Sequence, residues 1–258
     1  MKSNILKMKS DILKKIDKYP YFKILNISQN QNLKLKNDFM SFAKRLGKVR
    51  SQNSKNEKII EIKPNLKKIV ALKNKNKNIK SVLRYHQTNL GGSIHSDGPQ
   101  LENPPKYIIM ACEHNSISGG DTILVNTKKI YKYLQKNKKK YLEILQNNFL
   151  FERRGFDYKN NNVFTKPIFQ RNHFLFRYLR DYVEKGFELK QKSINQSQKK
   201  AMNLLDRLLS SKKFYKKMKL KRGDLIILNN HILAHGRTTF KVNNKKRINR
   251  KLYRIWLN

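Results

Sequence analysis

The chain has 258 residues, 38% of them hydrophobic and 29% charged, which is enough apolar material for one well-buried domain spanning residues 1–258 and too much for a globally disordered chain. Lys and Arg number 59 against 17 Asp and Glu, a formal net charge of +42, but the excess is lysine scattered along the whole sequence beside abundant Asn and Ile. That is the pattern of a compositional bias rather than of a concentrated nucleic-acid surface.

The segment Met1–Ile16 carries lysines throughout, and no later run approaches the length of a membrane span, so neither a signal peptide nor an anchor is expected and the cytoplasm is the default. Tyr21-Phe22-Lys23-Ile24-Leu25 reads as a short strand. Leu33, Leu35, Phe39, Phe42, Ala43 and Leu46 recur mostly at three- and four-residue spacings and stop at Gly47, which predicts an amphipathic helix over Asn32–Leu46. Gln52–Glu57 and Lys73–Lys80 read as polar loops. Strand-type runs follow at Ser81–Thr88, Lys106–Glu113 and Thr122–Asn126, punctuated by Asn103-Pro104-Pro105 and Ser118-Gly119-Gly120-Asp121. Cys112, the single cysteine, rules out an intramolecular disulfide and a cysteine metal cluster, and its apolar run makes it a buried structural thiol.

Thr127–Gln146 is predicted as one helix with Ile130, Leu134, Tyr141 and Leu145 on its stripe. Strands return at Val163–Phe169 and Phe174–Leu179, a long helix lies near Gln196–Met218, and the turn Leu220–Asp224 feeds the run Leu225–Leu228. The last strand is Leu252–Leu257. Short strands with helices between them predict an α+β, mainly β chain: a jelly-roll-like double sheet, or double-stranded β-helix, with flanking and inserted helices.

His95 and Asp97 stand two residues apart in the glycine-containing loop Gly91–Gly98, and on extended backbone such residues point the same way. An imidazole and a carboxylate on one side can fill two adjacent positions of an octahedral metal. A second histidine would complete a 2-His-1-carboxylate face and leave three positions open, as oxygen chemistry requires. Near the C-terminus, Gly223–Arg237 supplies a strand that ends in a histidine, His235, with Arg250 and Arg254 beyond it. His231, four residues before His235, is read as structural, and His86, His114 and His173 lack carboxylate companions at ligand spacing. Arg177, Arg180 and Asp181 fit either a substrate pocket or surface ion pairs, and Arg84, Gln87 and Asn89 fit the pocket wall or nothing more.

In combination these segments resemble the TauD/TfdA family of Fe(II)- and 2-oxoglutarate-dependent dioxygenases, from the Tyr21-Phe22 strand to the terminal strand. His95-Ser96-Asp97 matches the family's His-x-Asp and Gly119-Gly120-Asp121-Thr122 its Gly-Gly-Asp-Thr. His235-Gly236-Arg237 matches the distal His-Gly-Arg, and Arg250 to Arg254 the Arg-x-x-x-Arg that follows. The resemblance implies iron held by His95, Asp97 and His235, and the distal carboxylate of 2-oxoglutarate held by Thr122 and Arg250. It also implies that Arg254 faces an anionic group of the substrate or co-substrate. The implied reaction uses O2 and 2-oxoglutarate to hydroxylate or otherwise oxidise a C–H bond of a small anionic or zwitterionic metabolite, releasing succinate and CO2. One departure is Asn229-Asn230 where the family commonly has Asp-Asn, with a supporting effect at most. The alternative is a nucleic-acid-binding protein or a nucleic-acid-directed oxygenase that exploits the basic surface, and the arginine spacing counts against the latter. Homo-oligomer formation is left open.

Overall fold

The computed structural model describes residues 11–18, 21–24, 35–77, 87–156, 161–241 and 250–258. The N-terminal half carries helix α1 (residues 11–18), strand β1 (Tyr21–Ile24), α2 (Leu35–Leu46), β2 (Val49–Arg50), β3 (Ile60–Ile62), α3 (Leu66–Asn74), β4 (Tyr107–His114) and β5 (Thr122–Asn126). Then come α4 (Thr127–Asn137), α5 (Lys139–Leu145), β6 (Asn148–Glu152), β7 (Val163–Pro167), β8 (Phe169–Gln170) and β9 (Leu175–Phe176). The chain continues with α6 (Arg180–Leu189), α7 (Gln196–Leu209), β10 (Tyr215–Met218), β11 (Leu225–Asn229), β12 (Leu233–Arg237) and β13 (Lys251–Leu257).

Alternation with period two decides which side of each strand meets which layer. One antiparallel sheet runs β1-β11-β4-β13-β2, with β3 also paired to β13. Tyr107, Ile109 and Ala111 of β4, Leu225 and Ile227 of β11, and Tyr253, Ile255 and Leu257 of β13 pack against α1 and α2 through Ile12, Ile16, Phe39, Ala43 and Leu46. The opposite face presents Ile108, Met110, Cys112, Ile226, Leu228, Leu252 and Trp256 to Leu124 and Leu233, which belong to the second sheet, β10-β5-β12. That second sheet turns Val125 and Ala234 outward onto a helical layer built by α4, α5, α6 and α7 together with β6 to β9. Two antiparallel sheets therefore enclose one core, with helices against the outer face of each, an α+β arrangement. Among the described residues no helix is long and apolar enough to cross a membrane.

Several sequence expectations need correction. The single helix over Thr127–Gln146 is two, because Lys138 adopts φ −149° and ψ 46° and its N–H closes α4 on Leu134 O. Ile130, Leu134, Leu142 and Leu145 still share one core, so the stripe runs on across a break that periodicity alone does not reveal. The helix near Gln196–Met218 ends at Leu209, and Tyr215–Met218 pairs with β5 as a strand. Lys73 and Asn74, read as loop, close the helix α3, and β6 and α6 were not anticipated. Helix α6 hides behind Gly186, whose added Cβ would lie 2.5 Å from Leu150 O: glycine here is the condition for close approach to β6, not a helix breaker. Leu25, Asn32–Lys34 and residues 78–86, which include most of the strand expected at Ser81–Thr88, lie outside the described residues.

Cys112 is fully buried on β4, and burial pushes its thiol up to about 12. Since the thiolate is the reactive form, a thiol reagent at pH 8 is expected to leave native protein unlabelled and to label one site after unfolding, measurable by intact mass.

Candidate active site

The loop ahead of β4 joins the free edge of β12 at one point. His95 N–H donates to His235 O at 3.0 Å and His235 N–H donates to His95 O at 2.8 Å, the doubly bonded antiparallel pair in which opposed side chains share a side. The two imidazoles accordingly stand with ring centroids 4.7 Å apart. Ser96 faces away: its N–H donates to Tyr178 O and its hydroxyl accepts from Tyr178 N–H, both at 3.0 Å. Asp97 then returns to the histidine side. Its peptide groups are fixed by Asn230, whose Oδ1 accepts from Asp97 N–H at 2.8 Å and whose Nδ2 donates to Asp97 O and Pro105 O, each at 2.9 Å. The supporting place expected for the Asn-Asn pair is thus a clamp on the backbone of Asp97.

Oδ1 of Asp97 lies 3.6 Å from His95 Nε2 and 3.9 Å from His235 Nε2, and the donor atoms of the three residues all lie within 4.8 Å of one another. The three buried groups thus converge with their donor atoms turned to one point. Burial works against the charge on Asp97, but Arg254 Nη1, 2.9 Å away, and the neighbouring histidines overcome it and hold the carboxyl well below the usual carboxylate range. Burial pushes the His235 imidazole down to about 3, so it is neutral. His95 Nδ1 contacts Ser93 O at 2.8 Å, which leaves Nε2 for the cluster. A charged carboxylate with neutral imidazole nitrogen beside it is the protonation state a divalent cation needs, and two histidines with one carboxylate are a donor set that could hold such an ion.

The cluster opens on a cavity of about 250 Å³ whose walls include Thr122, Arg237, Arg250, Leu252, Arg254 and Trp256. Arg250 and the even-numbered residues of β13 face it while Tyr253, Ile255 and Leu257 face the helices, so one strand serves core and cavity at once. Thr122 opens β5 opposite Arg237 and is buried. Arg250, also buried, donates from Nε to Gly120 O at 3.4 Å, and a Cβ on Gly120 would come within 3.1 Å of its Cδ. Gly120 has φ +71°, so glycine satisfies both the turn and the approach. Arg237 donates to Thr88 O and Leu90 O at 3.0 and 2.7 Å and so ties down the chain entering the loop that carries His95 and Asp97.

The structure thus brings His95, Asp97, His235, Thr122, Arg250 and Arg254 to one cavity. Arg254, expected to face an anion, is already engaged by Asp97 and by Gln52 Oε1, each at 2.9 Å. Of the residues left between two readings, Asp181 lines the cavity. Arg180 pairs with Glu184 and Asp206 at 2.7 Å, and buried Arg177 donates to Leu101 O and Glu102 O. Asn89 bonds Phe240 and Gln87 O accepts from Asn65 N–H, and neither is among the residues that line the cavity, while Arg84 and His86 lie outside the described residues. His231 sits in the turn between β11 and β12 with Nε2 3.3 Å from Pro104 O, away from the cluster. Sequence reasoning missed Gln52, placed in a polar loop, and Trp256, read only as part of a strand. Nothing local marks Gln52, but the alternation that puts Arg254 toward the cavity also puts Trp256 there.

A profile described as "Taurine catabolism dioxygenase TauD, TfdA family" matches residues 27–256. The chain belongs to the TauD/TfdA family. Among curated relatives, gamma-butyrobetaine dioxygenases of Homo sapiens and Pongo abelii are each 27% identical over 159 residues, 58% of this chain and 40% of theirs. The chain thus spans 40% of the length of these curated TauD/TfdA relatives. Solved structures share the fold. An asparagine oxygenase in complex with Fe(II), 2S,3S-3-hydroxyasparagine and succinate superposes with a TM-score of 0.72 at 12% identity, covering 98% of this chain and 79% of that one. A non-heme iron oxygenase, OrfP, in complex with Fe and alpha-ketoglutaric acid gives 0.66 at 11% identity, covering 98% and 80%. A taurine dioxygenase from Burkholderia xenovorans gives 0.60 at 15% identity, covering 99% and 81%.

Asn230→Ala removes three hydrogen bonds and strands buried partners on Asp97 and Pro105, a cost of roughly 3 kcal/mol. A fall in Tm of several degrees together with weaker Fe(II) binding in a chelator competition is the expected result.

Proposed function

We propose that this TauD/TfdA chain is a dioxygenase that uses Fe(II) and 2-oxoglutarate to oxidise a C–H bond of a small anionic or zwitterionic metabolite, with residues 1–258 forming one double-stranded β-helix domain. The observation that carries the reading is the convergence of His95, Asp97 and His235 at a cavity that also holds Thr122 and Arg250. His95, Asp97 and His235 would hold the iron, which supplies O2 activation coupled to oxidative decarboxylation of 2-oxoglutarate to succinate and CO2.

The rest of the work falls to the chain itself. Arg250 and Thr122 bind the distal carboxylate of 2-oxoglutarate, the guanidinium through a charge-assisted fork and the hydroxyl through a neutral bond, and so orient its oxo-acid end toward the ligand cluster. A lysine in place of Arg250 would keep the charge and lose the fork. The arginines that line the cavity, Arg154, Arg237, Arg250 and Arg254, outnumber the carboxylates Asp97 and Asp181 together with the Glu152 that pairs with Arg154, and a dication and a dianionic co-substrate leave that excess unchanged. The excess favours a substrate bearing an anionic group. Among the described residues Arg254 commits Nε and Nη1, so its Nη2 is available to such a group. Leu252, Met110 and Phe156 supply apolar wall that limits water beside the reacting carbon.

Anaerobic titration of the protein with Fe(II) and 2-oxoglutarate is expected to give a weak visible charge-transfer band. His95→Ala combined with Asp97→Ala should abolish it, and its survival there would reject the ligand assignment. Arg250→Lys should raise the 2-oxoglutarate concentration for half-saturation by about 10-fold or more, as expected for loss of a bidentate pair. A screen of small anions for stimulated succinate formation, with mass spectrometry of the product, identifies the substrate, and gain of one oxygen marks hydroxylation.

A further inference from the structure

The two oxygens of Asp97 keep different company. Oδ1 faces the histidine nitrogens and accepts from Arg254 Nη1, whereas Oδ2 accepts the indole N–H of Trp256 at 2.9 Å. Both donors come from β13, two residues apart on the face turned to the cavity, and Trp256 is buried. Arg254 is itself held. Its Nε donates to Gln52 Oε1 at 2.9 Å, while Gln52 Nε2 donates to Arg254 O at 2.8 Å and Lys58 O at 3.0 Å. These three bonds use the amide oxygen as acceptor and its nitrogen as donor, so only one orientation of the amide satisfies them all.

Sheet register explains why a glutamine stands there. Strand β2 pairs Arg50 with Trp256, and β3 pairs Ile60 with Arg254, so the chain leaves β13 after Arg50 and returns ten residues later. Gln52 falls just past the departure point, where its side-chain amide takes up the Arg254 carbonyl. Its burial at 6% exposure, in a loop whose neighbours Asn53 to Lys58 are half-buried or exposed, sets it apart from its surroundings.

We propose that Gln52 and Trp256 are positioning residues for Asp97: the indole N–H holds Oδ2 so that Asp97 meets the metal through Oδ1 alone, and Gln52 locks the guanidinium that orients and balances Oδ1. This rests on the iron-site reading above. A carboxylate held to one oxygen occupies one coordination position and keeps the others open for co-substrate and O2. Arg254 is then a part of the ligand's support as well as of the cavity wall. Outer partners of metal ligands typically change metal affinity by about 10–100-fold when removed.

The test measures Fe(II) dissociation constants by chelator competition and the anaerobic 2-oxoglutarate charge-transfer band for wild type, Gln52→Met, Trp256→Phe and, as control, Tyr253→Phe on the opposite face of β13. Thermal melting verifies that each is folded. Expected are an affinity at least about 10-fold weaker and a shifted or weakened band for Gln52→Met and for Trp256→Phe, with Tyr253→Phe close to wild type. Should Trp256→Phe fail to fold, Gln52→Met carries the test, because Gln52 lies outside the apolar clusters. Wild-type affinity with an unshifted band in the folded variants overturns the proposal. So does an equal loss in Tyr253→Phe, which would mean general loosening of the strand. Absence of the band from wild type defeats the iron-site reading, and this proposal with it, and is told apart by that sample alone.

Discussion

Two backbone hydrogen bonds between His95 and His235 are the constraint on which the rest of the site depends. They place two imidazoles from distant parts of the chain on one side of an antiparallel pair, and because side chains alternate, Asp97 follows on that same side two residues later. A slip of one residue would turn His95 and Asp97 toward the helical layer and bring Ser96 into their place. The surrounding contacts guard that register. Tyr178 pairs with Ser96 on the far side, Asn230 grips both peptide groups of Asp97, and Arg237 anchors the chain before the loop. The Ser96 hydroxyl, the Asn230 amide and Nη2 of Arg237 are buried with partners supplied, so loss of register would strand several of them at once.

Strand β13 carries the second half of the design. One face contributes Tyr253, Ile255 and Leu257 to the core under α1 and α2, and the other contributes Leu252, Arg254 and Trp256 to the cavity. Packing on the apolar face holds the strand rigid, and that rigidity is what gives the guanidinium and the indole N–H fixed positions against a buried carboxylate. Placing Asp97 in a low-polarity setting is costly, and the arrangement offsets the cost with one cation and one neutral donor at separate oxygens. Both donors lie on a single rigid element, so they move together or not at all.

The part of the site that could be read from sequence is the part whose chemistry is local. The spacing of His95 and Asp97 is weak on its own and gains meaning only in combination with the short motifs that carry Thr122, His235, Arg250 and Arg254. Short apolar runs bounded by turn residues marked β4, β5 and β11 to within a residue or two. Gln52 was invisible because its meaning lies in a carbonyl 202 positions away, at a point where one edge partner leaves β13 and another arrives. Trp256 resembled any other core aromatic, since an indole N–H announces nothing until its acceptor is known. Gly186 misled in the opposite sense: a residue that usually interrupts helices was required in one by the closeness of Leu150. Lys138 shows the same limit for a helix, where a stripe that continues across a break conceals it.

The position of β13 in its sheet also has a bearing on how the chain reaches this state. It is the last of the described strands, yet it lies inside the sheet, between β4 on one side and β2 and β3 on the other. A chain emerging from the ribosome in order must hold that slot open until residues 251–257 arrive, with the backbone edges of β4, β2 and β3 unpaired meanwhile. Closure of the sheet is then a late, long-range event, slow in the way of folds dominated by distant pairings and exposed to association with other chains while it waits. Because the same strand delivers Arg254 and Trp256 to Asp97, completion of the core and completion of the carboxylate's surroundings are one step in folding. A nascent or partly unfolded chain would hold the two histidines and the aspartate without the groups that fix them.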